Sequence, residues 1–562
     1  MLISKGGGVF PRSAKEIVLS PEMQQLLGLN TRAATPQQVM RAILQSRVDL
    51  IFFGGIGTYV RATSETDEAA GDRANDPIRV TGVDLHCRVI GEGANLGLTQ
   101  RGRIEAARGG VRLNTDAIDN SAGVNTSDVE VNIKVALSLP VRDRKLSTED
   151  RNTLLGAMTE DVGHLVLRNN YLQTLAISLT QRKGLDDLGF QQRLMQMLET
   201  RGLLDRGVEH LPDDMALAER RKRSEPLTRP ELAVLLAYAK LTLYDDLLKS
   251  KVPDDPYLSR ELDRYFPTLL MERFPDAVKQ HRLRREIIAT QLANSMVNRG
   301  GPSLIPRMAD ETGAAPDAIA MAFTAVRDSY GMPALNEEIN TLDGKVSGKL
   351  QLEIYAAVES ILLDRLVWFL RNVDPAKGLK AIVAHYRDGI ASIESALDTA
   401  LSKGAAAARA VRIAELQAAG VPEPLGRRIA NIPALTAAPD VVLIAERTGK
   451  PVTSIAATYF AASDFFRLDA IVAAARAIVV TDYFDRLALD RALDSLGEAI
   501  RRITAEMTEG GAFGPQAVEA WVAPRAAEID RIRLQIREIS GTGLTLSKLM
   551  VAANLLADLV RK

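Results

Sequence analysis

The residues best placed to do chemistry are the glycines of Val89 to Thr99, V-I-G-E-G-A-N-L-G-L-T, and the polar run from Arg112 to Glu130, R-L-N-T-D-A-I-D-N-S-A-G-V-N-T-S-D-V-E. Gly91-x-Gly93-x-x-x-Gly97 gives the backbone freedom to turn sharply beside a ligand. Asp116 lies 25 residues after Gly91, near the place where a ribose-binding acid sits in a dinucleotide fold. On pattern alone, two readings stay open: a pyrophosphate-binding loop, or glycines that simply end a strand.

The elements that must carry these residues are a short β-prone run from Arg88 to Ile90, a helix within Leu98–Arg108, and an alternating segment from Val111 to Asn114. Together they make a strand–turn–helix–strand unit, the half-module of dinucleotide sites. Upstream, Thr35-Pro36-Gln37-Gln38 is a helix start with a threonine cap, proline in the first turn and glutamine three residues after the cap. Leu50 to Phe53 follows as an apolar run suited to a sheet covered on both faces, ending in Gly54-Gly55-Ile56-Gly57-Thr58. The polar stretch Thr63–Asp76 reads as a long surface loop.

From about Leu146 the character changes to long helical patterns. Thr228-Arg229-Pro230-Glu231 is a capping box, and Arg284–Asn298, Gly348–Arg371, Pro375–Ser402 and Thr545–Arg561 read as helices. Within the alanine-rich Gly404–Gly420, Ile413 and Leu416 sit at helical spacing. The expected fold class is α/β followed by mostly α: a partial Rossmann-like parallel sheet and a large helical carboxyl-terminal region. The expected domains are residues 1–140, 141–340 and 341–562.

Composition narrows the function classes. With 70 basic and 71 acidic residues among 562, no global attraction draws the chain to nucleic acid or anionic membranes. Arg220–Arg223 reads as a solvated helix face or loop. Cys87 is the single cysteine, which excludes an intramolecular disulfide and suits a reducing compartment; its place at the head of a strand marks it as a packed thiol. The apolar window Leu352–Leu370 carries Glu353, Glu359, Asp364 and Arg365, which a hydrocarbon core would reject, and the amino terminus lacks a signal-peptide plan. A cytoplasmic protein is expected. The five histidines are scattered with no HExxH or Cys/His pairing for a metal, and no G-x-S-x-G elbow or P-loop occurs.

The segment G-E-G-A-N-L-G-L-T with N-T-D-A-I-D-N-S-A-G-V-N-T-S resembles the second half of the nucleotide-binding domain of glutamate dehydrogenases. F-F-G-G-I-G-T-Y-V, G-D-R-A-N-D and the opening I-S-K-G-G-G-V-F-P-R-S-A-K are similar to the large-subunit NAD-dependent members. The resemblance implies NAD as cofactor, L-glutamate, 2-oxoglutarate and ammonia as reactants, and a homo-oligomer such as a homotetramer. It implies that Glu92, Gly93, Ala94 and Asn95 sit at a strand's carboxyl end, where backbone and amide groups face the nicotinamide half of NAD, and that Asn120 contacts the nicotinamide carboxamide or ribose. Gly55 and Gly57 would let the preceding strand end approach the cofactor, and Ser127 would help hold the substrate's side-chain carboxylate. An amide can orient a carboxamide through paired hydrogen bonds, and a hydroxyl can donate to a carboxylate without adding charge.

Under this reading the glycine unit becomes the nicotinamide side of the site, and Asp116 becomes a structural acid. Ser121 and Ala122 replace the alanine and glycine of smaller family members, and Asp128 replaces an aromatic. Neither Lys5 nor Lys134 has a motif that qualifies it as the family's catalytic lysine. The chain is therefore expected to be the carboxyl-terminal part of a larger enzyme, inactive by itself, whose sheet has an uncovered edge. Two alternatives from other classes are a non-catalytic helical assembly module and a related NAD-dependent amino-acid dehydrogenase.

Overall fold

Thr35 and Gln38 exchange both hydrogen bonds of a capping box, and this starts the helix Pro36–Leu44 where the threonine and proline place it. In the computed structural model, which describes residues 3–480, 482–541 and 543–560, the chain divides into two compact units, Met1–Pro306 and Arg307–Lys562.

The first unit holds the β structure. Its strands are β1 (Ile17–Val18), β2 (Ala33–Ala34), β3 (Leu50–Phe53), β4 (Val60–Arg61), β5 (Val80–Thr81) and β6 (Val89–Glu92). β1 and β2 pair antiparallel; β3 pairs parallel with β6, and β4 parallel with β5. The first eleven helices are α1 (Pro21–Leu27), α2 (Pro36–Leu44), α3 (Asp67–Ala70), α4 (Gln100–Arg108), α5 (Asp116–Asp119), α6 (Ser121–Arg142), α7 (Thr148–Ala157), α8 (Thr159–Lys183), α9 (Leu188–Thr200), α10 (Asp214–Lys222) and α11 (Arg229–Leu248).

Three expectations change here. Val111–Asn114 does not form a full strand: Arg112 alone bridges to Val89, through Ile90 N–H to Arg112 O at 2.9 Å and Arg112 N–H to Arg88 O at 3.0 Å. Thr63–Asp76 is not an open loop. It folds into α3 and a 3₁₀ turn, Arg73–Asn75, wrapped around the buried Arg79. Arg79 Nε donates to Thr58 O at 2.9 Å, and its remaining nitrogens reach Asp67 and Asp76 and the Asp72 carbonyl. Nor is Arg220 a solvated side chain. It donates at 2.7 and 3.0 Å to Glu231, whose carboxylate is buried and also caps α11 through Thr228.

Among the described residues the parallel β structure is small, two short pairs in a mostly helical chain. The β3–β6 pair buries Phe53, Ile90 and Glu92 on one face. Its other face carries Leu50 and Phe52, 57% and 65% exposed, and the far edge of β3 takes no strand among the described residues. Cys87 lies buried in the core with Val60, Leu98 and Ile90.

Asp67, Asp72 and Asp84 are all held below the usual carboxylate range. For Asp67 the Arg61 hydrogen bond leads, and for Asp72 the Asn75 amide; for Asp84, burial opposes the shift and the Thr81 hydrogen bonds outweigh it. A depressed carboxyl stabilises the fold above its unfolded value of 3.8 and loses that contribution as pH falls through the lower folded value. Residues 58–84 should therefore lose hydrogen-exchange protection below pH 3.8, ahead of the α8 and α11 helices; simultaneous loss in both would contradict this.

The second unit is helical, with Gly348–Asn372, Leu379–Ala400, Val452–Phe465 and Tyr483–Glu509 among its long members. Trp368, Phe369 and Tyr386 cluster with ring centroids 4.7–5.9 Å apart. The alanine-rich stretch is the helix Lys403–Ala418 with Leu416 buried. The last helix is Leu546–Asp558; Arg561, placed in it by pattern, lies outside the described residues. No single helix among the described residues is long and apolar enough to cross a membrane.

Candidate functional site

Two turns at the carboxyl ends of β3 and β6 are tied into one ledge. Gly93 and Ala94 N–H groups both donate to Phe53 O at 3.0 Å, Thr58 Oγ1 donates to Leu96 O at 2.9 Å, and Tyr59 N–H donates to Gly97 O at 2.9 Å. Gly57 has φ +131°, and a Cβ there would stand 2.5 Å from the Asn75 amide, so the turn needs glycine. Gly55 is exposed with open space around it. Gly93 lies under the ring of Phe52, whose Cζ would be 2.4 Å from an added Cβ. Ala94 is buried and Asn95 exposed.

Glu92 anchors the ledge from below. Its side chain is 1% exposed and receives Arg103 Nε at 2.7 Å and Nη2 at 2.8 Å, a bidentate pair between β6 and α4. Arg103 also reaches Asp116 Oδ1 at 3.0 Å. Burial pushes the Glu92 carboxyl up against the pull of Arg103; burial would lower the Arg103 guanidinium, but the Glu92 hydrogen bonds outweigh it and hold it up. Asp116 accepts the N–H of Leu96, a residue in the left-handed region at φ 60°, at 2.7 Å. Asp116 thus stands at the turn as an acid that holds backbone, consistent with the structural role.

The amides meet at the surface. Asn120, between α5 and α6, donates from Nδ2 to Asn95 Oδ1 at 3.3 Å. Its backbone is fixed by N–H to Asp116 O at 2.8 Å, and Asn170 of α8 clasps the junction through Ile118 O at 2.7 Å and Ser121 Oγ at 2.9 Å. Ser127 is exposed on α6, seven residues and about 10 Å of helix rise beyond Asn120. That spacing puts both on one face, with Val124 between them at 65% exposure.

So the structure joins Asn95 to Asn120 directly, sets Gly93 and Ala94 against β3, and leaves Gly55 and Ser127 facing solvent. Residues that pattern reading missed are Arg103, Asn114, Asp119 and Phe52. Asp119 shares its two oxygens between the Glu92 N–H, at 3.1 Å, and Asn114 Nδ2, at 2.8 Å. The D-A-I-D spacing was the available signal: one helical turn separates the acid that holds Leu96 from the acid that holds Glu92. Among the described residues no group of histidine, cysteine, aspartate and glutamate could hold a metal ion.

Comparison with known proteins adds an independent line. A family model described as "Bacterial NAD-glutamate dehydrogenase, catalytic domain" matches residues 1–180, and one described as "Glutamate dehydrogenase, C-terminal" matches residues 224–558. A NAD-specific glutamate dehydrogenase of Halomonas elongata is 38% identical over 99% of this chain and 35% of its own length. That of Pseudomonas aeruginosa is 39% identical over 96% and 34%, and that of Mycobacterium tuberculosis 33% identical over 100% and 35%. The chain spans about a third of the length of the curated relatives it matches.

Proposed function

The chain belongs to the NAD-specific glutamate dehydrogenase family, and from that premise we propose that its ledge is the nicotinamide side of a site for oxidative deamination of L-glutamate. The observation that carries this reading is the Asn95–Asn120 amide pair at the carboxyl end of β6, where open α/β sheets bind ligands. The paired amides leave Asn95 Nδ2 and Asn120 Oδ1 as a donor and an acceptor, the complement of a nicotinamide carboxamide. Gly55 leaves open space for a flat ring, so the donor set and the relief suit this end of the cofactor. We read the two parallel pairs as part of a larger Rossmann-like sheet and keep residues 1–140 as the cofactor-binding part of the chain.

NAD, when bound, would supply the hydride acceptor for the α C–H bond of glutamate, with water taking the amine's place, so that glutamate, NAD⁺ and water would give 2-oxoglutarate, ammonium, NADH and one released proton. The protein's own share is orientation. Asn95 and Asn120 fix the carboxamide, Glu92 holds the ledge through Arg103, and Ser127 donates to the substrate's side-chain carboxylate. We extend the reading to a homo-oligomer, and light scattering of the purified chain tests that part.

Hydride transfer requires a closed, oriented cleft. Gly55, Ile56 (87% exposed), Asn95 and Ser127 instead face solvent. The polypeptide of 562 residues assayed by itself is therefore expected to produce no NADH from glutamate; glutamate-dependent NADH would overturn that part. The site reading has its own test. Saturation-transfer NMR of NAD with the chain should favour the nicotinamide protons over those of adenine, and Asn120→Ala should abolish the preference. An adenine-dominated pattern would sink the reading.

A further inference from the structure

A chain of hydrogen bonds leads from Glu92 and Asp119, beside the amide pair, into the helical layer. Arg229, the first residue of α11, donates from Nε and Nη2 to Asn114 Oδ1 at 3.0 and 2.8 Å. Asn114 passes the contact to Asp119 Oδ1 at 2.8 Å, and Asp119 Oδ2 receives the Glu92 N–H at 3.1 Å. Asp119 is the residue before Asn120. On its other side, Arg229 Nη1 donates to Ser178 Oγ at 3.0 Å and Gln181 Oε1 at 3.2 Å, both on α8. The arginine is itself set by its helix start: Thr228 and Glu231 form the capping box, and Arg220 of α10 grips the Glu231 carboxylate.

We infer that Arg229 is a positioning residue for the nicotinamide-side ledge, acting through Asn114 and Asp119 on the strand end at Glu92 and on the Asn95–Asn120 pair. This rests on the reading of the ledge given above. The physical case is the fork. One planar guanidinium satisfies an acceptor at the end of the β6 neighbour and acceptors on α8 at the same time, a task for which a lysine ammonium has no fixed geometry. Burial costs Arg229 solvation and lowers its pKa, while the Asp119 charge offsets part of that loss. Arg229 holding the Asn114 oxygen puts the Asn114 NH₂ on the other side of the amide, where one of its two N–H groups reaches Asp119, so the orientation of the asparagine is dictated from the helix side. The carboxylate of Asp119, used on both oxygens, cannot shift toward one partner without stretching the other. The site end of the sheet therefore takes its register from α8 and α11, elements more than 40 residues further along the chain.

The test compares Arg229→Lys, Asn114→Ala, the double variant, and Gln181→Ala in the 562-residue chain. Arg229→Lys should weaken NAD binding about tenfold, the scale of one charge-assisted hydrogen bond, and speed amide exchange at Glu92. Asn114→Ala should do the same, and the double variant should be no weaker than the worse single, as one relay requires. Gln181→Ala, which removes one α8 acceptor from the Arg229 fork, should give both changes to a smaller extent than Arg229→Lys. A lowered melting temperature with unchanged affinity and Glu92 exchange would make Arg229 merely structural, and additive losses would overturn the relay. If the wild-type chain shows no nicotinamide contact, the ledge reading fails; contact that survives Arg229→Lys intact sinks this inference alone.

Discussion

Replacing Arg103 by leucine is expected to lower the stability of the first unit by about 3–5 kcal/mol, the range for leaving one partner of a buried ion pair alone. The loss is large because Glu92 is 1% exposed and its two oxygens are spent on this guanidinium, with only the Leu98 N–H, at 3.4 Å, remaining as a donor. Asp116 loses a partner too, so the Leu96 turn loosens with the strand end. The double change Arg103→Leu with Glu92→Met should recover much of the loss, since removing both charges removes the desolvation cost with them. Urea unfolding followed by hydrogen exchange of β3 and β6 peptides reads this. Trp368 and Trp521, both in the second unit, make tryptophan emission blind to it. A loss under 1 kcal/mol for Arg103→Leu would show that the pair is not a keystone of this unit.

Lys240→Met has the opposite sign. Lys240 lies on α11 and donates to the neutral Gln173 Oε1 at 3.1 Å, and burial alone lowers its ammonium to about 7. The unfolded chain keeps this proton up to 10.5, so between pH 7 and 10.5 the unfolded state binds more protons and stability rises with pH. At ~1.4 kcal/mol per unit the window amounts to roughly 3–5 kcal/mol. Below 7 the lysine is charged in both states and the penalty is complete. Methionine at 240 should therefore stabilise the first unit by several kcal/mol at neutral pH, with the advantage shrinking toward zero by pH 10.5. A wild-type-minus-variant difference that does not vary with pH would refute the assignment.

Much of this arrangement was legible in the residues. β3 and β6 were an apolar run and a β-prone run ahead of glycine turns, and the capping boxes at Thr35 and Thr228 were written locally. Local signals speak for local contacts. What stayed hidden depends on distant partners: Arg79 is buried because carbonyls at positions 58 and 72 and carboxylates at 67 and 76 surround it, and no spacing rule announces that. The same holds for Glu92. The resemblance implies a role for its backbone at the cofactor and says nothing of its carboxylate, which Arg103, eleven residues on, holds inside. Arg220–Arg223 looked like one solvated run because its composition is uniform, yet the turn of α10 directs Arg220 alone to Glu231. The first unit's sheet was harder still, since pairing partners such as Phe53 and Glu92 are far apart in sequence.

The ring of Phe52 lying across Gly91 and Gly93 has an evolutionary consequence. Volume at positions 52 and 93 is shared, so a side chain at 93 must push the Phe52 ring, 65% exposed, further into solvent. A lineage that acquired a side chain at 93 would spread more of that ring's apolar surface over water unless position 52 became smaller. Across aligned relatives the two positions should therefore change size in opposite directions, and the swap Phe52→Ala with Gly93→Ala should fold better than Gly93→Ala alone.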